Sequence, residues 1–297
     1  MNPDGTPAPL PPGLYVVATP IGNDADLSPR ARDVLTRADA VLAEDTRRAG
    51  LLFRRLAIRR ARPGFFSLHE HNEAGRVPQV LTMLGQGQSV ALISDAGTPV
   101  LADPGYRLVR ACREAGQRVT PVPGPSAPAA ALSACGLPPA PYTFFGFLPR
   151  AKGQARKLLA RHAATGASLV FFERKDRLAA TLALAGEVLG DREFALCREL
   201  TKVYEEFILG RLGQLPENLD LLGEVTVVIG PTPLGGPEGL DDAASAQGAA
   251  DLDASLAAIM AEERARGGKP REVARRVAER VPGKSVKEIY ERLGPKR

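Results

Sequence analysis

Apolar runs of four to six residues, each closed by a polar or glycine-containing turn, recur along the first half of the chain. Gly13-Leu-Tyr-Val-Val-Ala18, Ala40-Val-Leu-Ala43, Phe65-Phe-Ser-Leu68, Ser89-Val-Ala-Leu-Ile93 and Arg118-Val-Thr-Pro-Val122 read as short buried strands. Helical spacing fills the gaps between them. Ser28-Pro29 predicts a cap and first-turn proline for a helix ending near Ala38, and further helices are expected from about Arg48 to Leu56 and up to Leu84. Asp103 before Pro104 has the form of another cap, for a helix through Leu108, Val109 and Cys112 that stops at Gly116. An alanine-rich helix runs to Cys135. This β-loop-α alternation predicts a parallel sheet covered by helices.

The second half repeats the theme less regularly. Thr143–Gly146 and Ser168–Phe172 read as strands around a basic helix from Lys152, and a helix near Leu178–Leu189 leads to the strand Phe194–Cys197. Val203–Leu209 and Val225–Ile229 are expected as two more strands, paired with each other as a hairpin. Three short helices follow, near Leu252–Arg266, Pro270–Arg280 and Ser285–Leu293. The expected organisation is a disordered tail over 1–12, a parallel α/β domain over 13–135 and a proline-rich linker over 136–141. A second α/β domain covers 142–230, a flexible connector 231–250 and a small helical domain 251–297.

The polar clusters are not scattered. Thr19–Asn23, Glu44–Arg47, His69–Glu73, Ser94–Pro99 and Pro123–Ser126 each follow a predicted strand directly. In an open α/β sheet those carboxyl ends line one crevice, where ligands bind. Gly97 suits close approach of a ligand to the backbone, and Asp95 offers an acceptor for hydroxyl or amine groups. Gly85-Gln-Gly87 is no dinucleotide fingerprint, because it precedes a strand instead of following one.

Composition narrows the class. A chain of 297 residues with 44% apolar content is long enough for two domains, and no window approaches a membrane span. The first residues carry no signal-peptide pattern, which points to a cytoplasmic protein. Cys112, Cys135 and Cys197 are too far apart for a zinc motif or disulfide framework. The net charge of +5 is concentrated at the end, where Asp251–Arg297 holds 12 Lys and Arg against 8 Asp and Glu. That bias is compatible with nucleic acid and equally with solubility.

Seven clusters in order carry a resemblance: Thr19-Pro-Ile-Gly-Asn23, Glu44-Asp-Thr-Arg47, His69-Glu-His-Asn-Glu73, Ser94-Asp-Ala-Gly-Thr-Pro99, Asp103-Pro-Gly-Tyr106, Pro123-Gly-Pro-Ser-Ala127 and Arg198-Glu-Leu-Thr-Lys202. Together they closely resemble the bacterial ribosomal RNA small subunit methyltransferase I family, within the tetrapyrrole (corrin/porphyrin) methylase superfamily. The resemblance covers roughly Leu14–Ile229. It implies two α/β domains of the tetrapyrrole methylase type with a donor cleft between them. It also implies S-adenosyl-L-methionine as donor, the ribose 2'-hydroxyl of a decoding-centre cytidine in 16S rRNA as acceptor, the 30S subunit as its context, and a homodimer. By resemblance the donor lies against Pro20, Asp95, Ala96, Gly97, Thr98, Ser126, Ala127 and the backbone of Arg198, Glu199 and Leu200. The sequence departs from the family where Ser/Ala-Pro-His-Arg usually follows a Phe/Tyr-Glu pair; here Arg174-Lys175-Asp176-Arg177 follows Glu173. Asn23–Leu27 also carries an extra acid, and Leu222 replaces a usual lysine.

Methyl transfer to oxygen needs an aligned hydroxyl and a destination for its proton. Lys202, His71, Asp45 and Glu44 are the candidates for handling it, against an ion-pair role for the Glu44-Asp45-Arg47 cluster and a phosphate contact for Lys202. Arg47, Arg198 and Lys202 are candidates to hold the RNA backbone, and Tyr106 or Phe145 to stack a base. His69, Glu70, His71 and Glu73 have alternating spacing, yet no second cluster completes a ligand set, and no metal is expected. A tetrapyrrole-carbon methylase and a non-catalytic RNA-binding assembly factor are the competing readings.

Overall fold

A computed structural model describes residues 9–60, 64–214, 224–232, 256–280 and 286–293. The chain divides into two units, 1–232 and 233–297. The expected tail at 1–12 falls outside the described residues as far as residue 8. Its last residues are fastened to the fold: Leu10 packs on the core and the Tyr15 hydroxyl donates to the Pro11 carbonyl at 2.8 Å.

The first sheet is built from β1 (Gly13–Val17), β2 (Ala40–Ala43), β3 (Phe65–Ser67), β4 (Ser89–Ile93) and β5 (Val119–Val122). Their order is β3-β2-β4-β1-β5 and every pairing is parallel. Every residue of β2 and β4 is buried, as a strand covered on both faces requires. Helices α1 (Pro29–Arg37) and α2 (Thr46–Arg55) cover one face, and α3 (Glu73–Gly85) and α4 (Tyr106–Glu114) the other.

The second sheet comprises β6 (Tyr142–Phe147), β7 (Ser168–Arg174), β8 (Glu193–Arg198), β9 (Glu206–Arg211) and β10 (Glu224–Ile229), in the order β6-β7-β10-β8-β9. Here the expected hairpin fails. β9 and β10 do not pair; they flank β8 on opposite sides, both antiparallel to it. The burial pattern explains why: Val225–Ile229 is buried throughout and needs a central place, whereas β9 is half exposed and suits an edge. Helices α6 (Lys152–His162) and α7 (Lys175–Leu189) cover one face. The other receives α5 (Ala127–Ala134), the helix that follows β5, whose Ala131 and Leu132 pack with Val170, Ala195 and Val228. Leu137 in the expected linker is buried in the same cluster, so the connection between the sheets is packed rather than loose. Through α5 the carboxyl ends of the first sheet face the second sheet.

The unit 233–297 shows a helix over residues 256–265 (α8), then α9 (Pro270–Arg280) and α10 (Val286–Leu293). Leu256, Val273, Ala274, Val277 and Ile289 form its core. The buried Glu263 carboxylate is clamped there by Arg266 at 2.9 Å and Arg276 at 2.8 Å. Most of the expected connector, 233–250, lies outside the described residues. No helix of the described residues is long and apolar enough to cross a membrane.

Candidate active site

Parallel strands leave their turns at one edge, and cross-links gather those turns. Gly97, after β4, exchanges backbone hydrogen bonds with Thr19, after β1, at 2.9 and 3.0 Å. Its φ of +77° is the left-handed geometry that favours glycine. The Thr98 hydroxyl donates to the Pro125 carbonyl at 2.9 Å, joining the turns after β4 and β5. Arg48, in the first turn of α2, pairs with Asp95 at 2.7 Å. The Asn23 amide donates to Thr201 Oγ1 at 3.0 Å, tying the loop after β1 to the turn after β8.

These turns enclose a cavity of about 560 Å³, a volume suited to a nucleoside-sized ligand. Its wall takes Ile21, Glu44, Arg48, the stretch Asp95–Thr98, Leu101–Asp103 and Ser126–Pro128 from the first half. The second sheet supplies Phe147, Phe172, Cys197, Glu199, Leu200, Lys202 and Glu224–Thr226. Four of the five clusters that follow strands of the first sheet therefore open onto one space with the turn after β8, whereas the cluster after β3, His69–Glu73, stays off it. Five carboxylates (Glu44, Asp95, Asp103, Glu199 and Glu224) outnumber the two cations, Arg48 and Lys202. The wall thus suits a ligand that carries positive charge beside flat apolar surface.

That crowding shows in the acids. Burial, and then the nearby Asp95 carboxylate, raise the Glu44 carboxyl above its usual range. Asp103 is pushed up to about 6, first by burial, with Glu44, Asp95 and Glu224 adding to it and a hydrogen bond from Ser94 opposing.

Among the expected donor contacts, Asp95, Ala96, Gly97, Thr98, Ser126, Ala127, Glu199 and Leu200 lie on the wall. Pro20 is buried just behind it between Thr19 and Ile21. Arg198 precedes Glu199 and Leu200 off the wall, its side-chain Nε donating to the Glu206 carboxylate of β9, a bond that does not involve the backbone expected to meet the donor.

The expected proton-handling groups divide. Glu44 and Lys202 reach the cavity, Lys202 Nζ being held by Glu199 at 2.8 Å. His71 is exposed, off the wall, beside His69. Asp45 caps α2, its carboxylate accepting from the Arg47 and Arg48 amides at 2.8 and 3.2 Å, and those bonds hold its acid below the usual range. Asp45→Ala should therefore lower the midpoint of a denaturant titration, and Asp45→Asn much less, both retaining activity. Arg47 and Tyr106 are exposed and off the wall. Phe145 meets His162 edge-on instead, ring centroids 5.0 Å apart; Phe147, two residues on, reaches the cavity.

Asp103 corrects the expectation that it caps α4. That helix starts at Tyr106 with Gly105 at the cap position. The free Leu108 amide is satisfied from α3, by the buried Glu73 carboxylate at 3.2 Å. Released from capping, Asp103 faces the cavity, in a turn where Val100 and Ala102 hold φ of 76° and 70°. Glu73 is thereby structural. Among the described residues no three His, Cys, Asp or Glu side chains gather as a metal-binding group.

The family model of the Tetrapyrrole (Corrin/Porphyrin) Methylases matches residues 13–216. The ribosomal RNA small subunit methyltransferase I of Mesorhizobium japonicum is 45% identical, covering 96% of this chain and 92% of its own. The protein of that name from Thermotoga maritima is 41% identical over 73% of this chain and 97% of its own. Among solved structures, the methyltransferase CobJ superposes with a TM-score of 0.55 at 18% identity, over 75% of this chain and 97% of its own. The cobalt precorrin-4 methyltransferase CbiF gives 0.54 at 16%, over 73% and 94%. The two structures speak to the fold, and the sequence relatives to the group within it. The chain belongs to the tetrapyrrole (corrin/porphyrin) methylases, in the ribosomal RNA small subunit methyltransferase I family.

Proposed function

We propose that this chain transfers the methyl group of S-adenosyl-L-methionine to the ribose 2'-hydroxyl of a cytidine in the decoding centre of 16S rRNA, acting on the 30S subunit as a cytoplasmic homodimer and without a metal. The observation that carries the reading is the acidic cavity where the turns after β1, β2, β4, β5 and β8 converge. A sulfonium nucleoside with an α-amino group is the cation such a wall suits, and the relatives' names supply the RNA. The donor brings an activated methyl group. The rest falls to the protein: aligning the hydroxyl oxygen with the methyl carbon, excluding water and taking the proton.

As the new C–O bond forms and the C–S bond breaks, S-adenosylhomocysteine leaves and the hydroxyl proton goes to the wall. Asp103 is the group placed to take it, because a carboxyl near 6 is ionised at neutral pH yet basic enough to accept. Burial, with Glu44 and Asp95 beside it, keeps it so. Asp95, fixed by Arg48, and Glu199, fixed by Lys202, are positioned to hold the donor's cationic groups.

Calorimetry with S-adenosylhomocysteine and transfer of a labelled methyl group to 30S subunits test this directly. Expected are product binding, label in 16S rRNA and one new 2'-O-methylcytidine. Label transferred only to a precorrin-type macrocycle would mark a tetrapyrrole methylase. RNA affinity without product binding would mark an assembly factor.

A further inference from the structure

An acidic cavity repels the sugar-phosphate backbone that must bring a ribose to it, so the polyanion has to be held on another surface close by. Resting on the rRNA reading above, we infer that the ends of β6 and β7 form that surface. Arg150, Lys152, Arg174 and Lys175 grip the RNA phosphates there, and Phe147 supplies a stacking face at the cavity mouth.

β6 and β7 are parallel, with Phe147 opposite Phe172, so the chain leaves both at the same edge. Both phenylalanines line the cavity, their rings 5.4 Å apart, and Phe147 remains 43% exposed. The two exits are locked together. Arg177 of α7 donates to the carbonyls of Leu148 at 3.4 Å and Pro149 at 3.1 Å. It also pairs at 3.4 Å with the fully buried Glu173 carboxylate, which accepts from the Thr181 hydroxyl at 2.7 Å and the Arg174 amide at 2.9 Å. The basic side chains therefore stand on a fixed base, which lowers the ordering cost of binding.

All four are exposed. Among the described residues Arg150 and Lys175 have no ion-pair partner. Arg174 meets Asp176 at 3.3 Å and Lys152 meets Glu187 at 3.8 Å, both pairs open to solvent. Pairs of that kind contribute little and exchange readily for phosphate. Lys152 and Lys175 also begin α6 and α7, neither of which has a side-chain cap, so the positive ends of two helices add to the field.

The test compares wild type with the quadruple alanine variant at Arg150, Lys152, Arg174 and Lys175. The probe is a fluorescent RNA hairpin containing the target cytidine, titrated between 50 and 200 mM salt, with 30S subunits in parallel. Each phosphate contact removed lowers the slope of log K against log salt by about 0.7–0.9. The expected result is a slope reduced by about 3, affinity at low salt reduced ~10²-fold or more, and unchanged S-adenosylhomocysteine binding. Phe147→Ala should weaken RNA roughly 10-fold with no change in slope. Arg271→Ala with Arg275→Ala, on exposed positions of α9, should leave the slope near wild type. A quadruple variant with the wild-type slope overturns the proposal while leaving the methylase reading intact. Wild-type protein that binds neither hairpin nor 30S subunits overturns both.

Discussion

Asp103→Asn is expected to lower methyl transfer at pH 7 by ~10²–10⁴-fold, the range for loss of a general base, while S-adenosylhomocysteine binds nearly as before. The wild-type profile of kcat/KM should rise with pH and level off above about 6, where Asp103 becomes ionised. With a cationic donor beside the carboxylate the same group ionises more easily, so the kcat profile should level off at lower pH. Asparagine keeps the shape and loses the titration. The residual rate should therefore be flat across that window. A variant with wild-type rate and profile would remove Asp103 from the proton path and leave Glu44 as the acid on the wall to test.

The same substitution should stabilise the protein. Asp103 has its carboxyl raised in the folded state from an ordinary 3.8 to about 6, so the native protein binds more protons than the unfolded chain between those values. Stability from this group falls as pH rises through that window, and at pH 7 the folded state carries the whole penalty. After screening at a partly exposed site this is about 1–2 kcal/mol. Thermal unfolding of Asp103→Asn should therefore sit above wild type at pH 7, and the gain should vanish below about pH 4. A residue whose removal steadies the fold and stops the chemistry is held in place for function.

The elements of the first sheet and their parallel sense were legible because their signals are local. Short apolar runs, glycine turns and the Ser28-Pro29 cap lie within a few residues of what they determine. Parallel strands account for the convergence of the turns after β1, β2, β4 and β5, but not for the absence of the β3 cluster or the arrival of the turn after the antiparallel β8. What stayed hidden depended on distant partners. Nothing near Asp103 reveals that Glu73, thirty residues earlier, satisfies the Leu108 amide of α4. Nothing near Val225 reveals that β10 inserts between β7 and β8, since strand order is set by which runs must be buried on both faces. Glu44 and Asp45 look equivalent in sequence, yet the start of α2 makes one a cavity acid and the other a cap. The departure at Arg174-Lys175-Asp176-Arg177 reads as loss of a family histidine. In three dimensions Arg177 clamps the Leu148 and Pro149 carbonyls, and Arg174 and Lys175 stand exposed at the end of β7.

Gly22→Val should produce the second large effect, loosening donor binding by ~10–100-fold and slowing transfer by about 10². Gly22 sits where the loop after β1 meets the turn after β8. A Cβ there would overlap Lys202 Cγ and stand 2.8 Å from Thr201 Oγ1 and 2.9 Å from the Leu200 carbonyl oxygen. The lysine stem can swing away, but the carbonyl belongs to a turn already held at positive φ by Glu199 (51°) and Thr201 (67°). That turn also depends on Asn23 donating to Thr201 and on the Thr201 amide donating to Glu205 at 2.6 Å. Valine must therefore push the Glu199–Lys202 wall away from the Asp95–Thr98 wall, opening the cavity across its width, at about 1–3 kcal/mol in stability. Adding Lys202→Ala should not restore product affinity, because the backbone obstacle remains. A Gly22→Val protein that binds S-adenosylhomocysteine like wild type would mean that the turn after β8 takes no part in holding the donor.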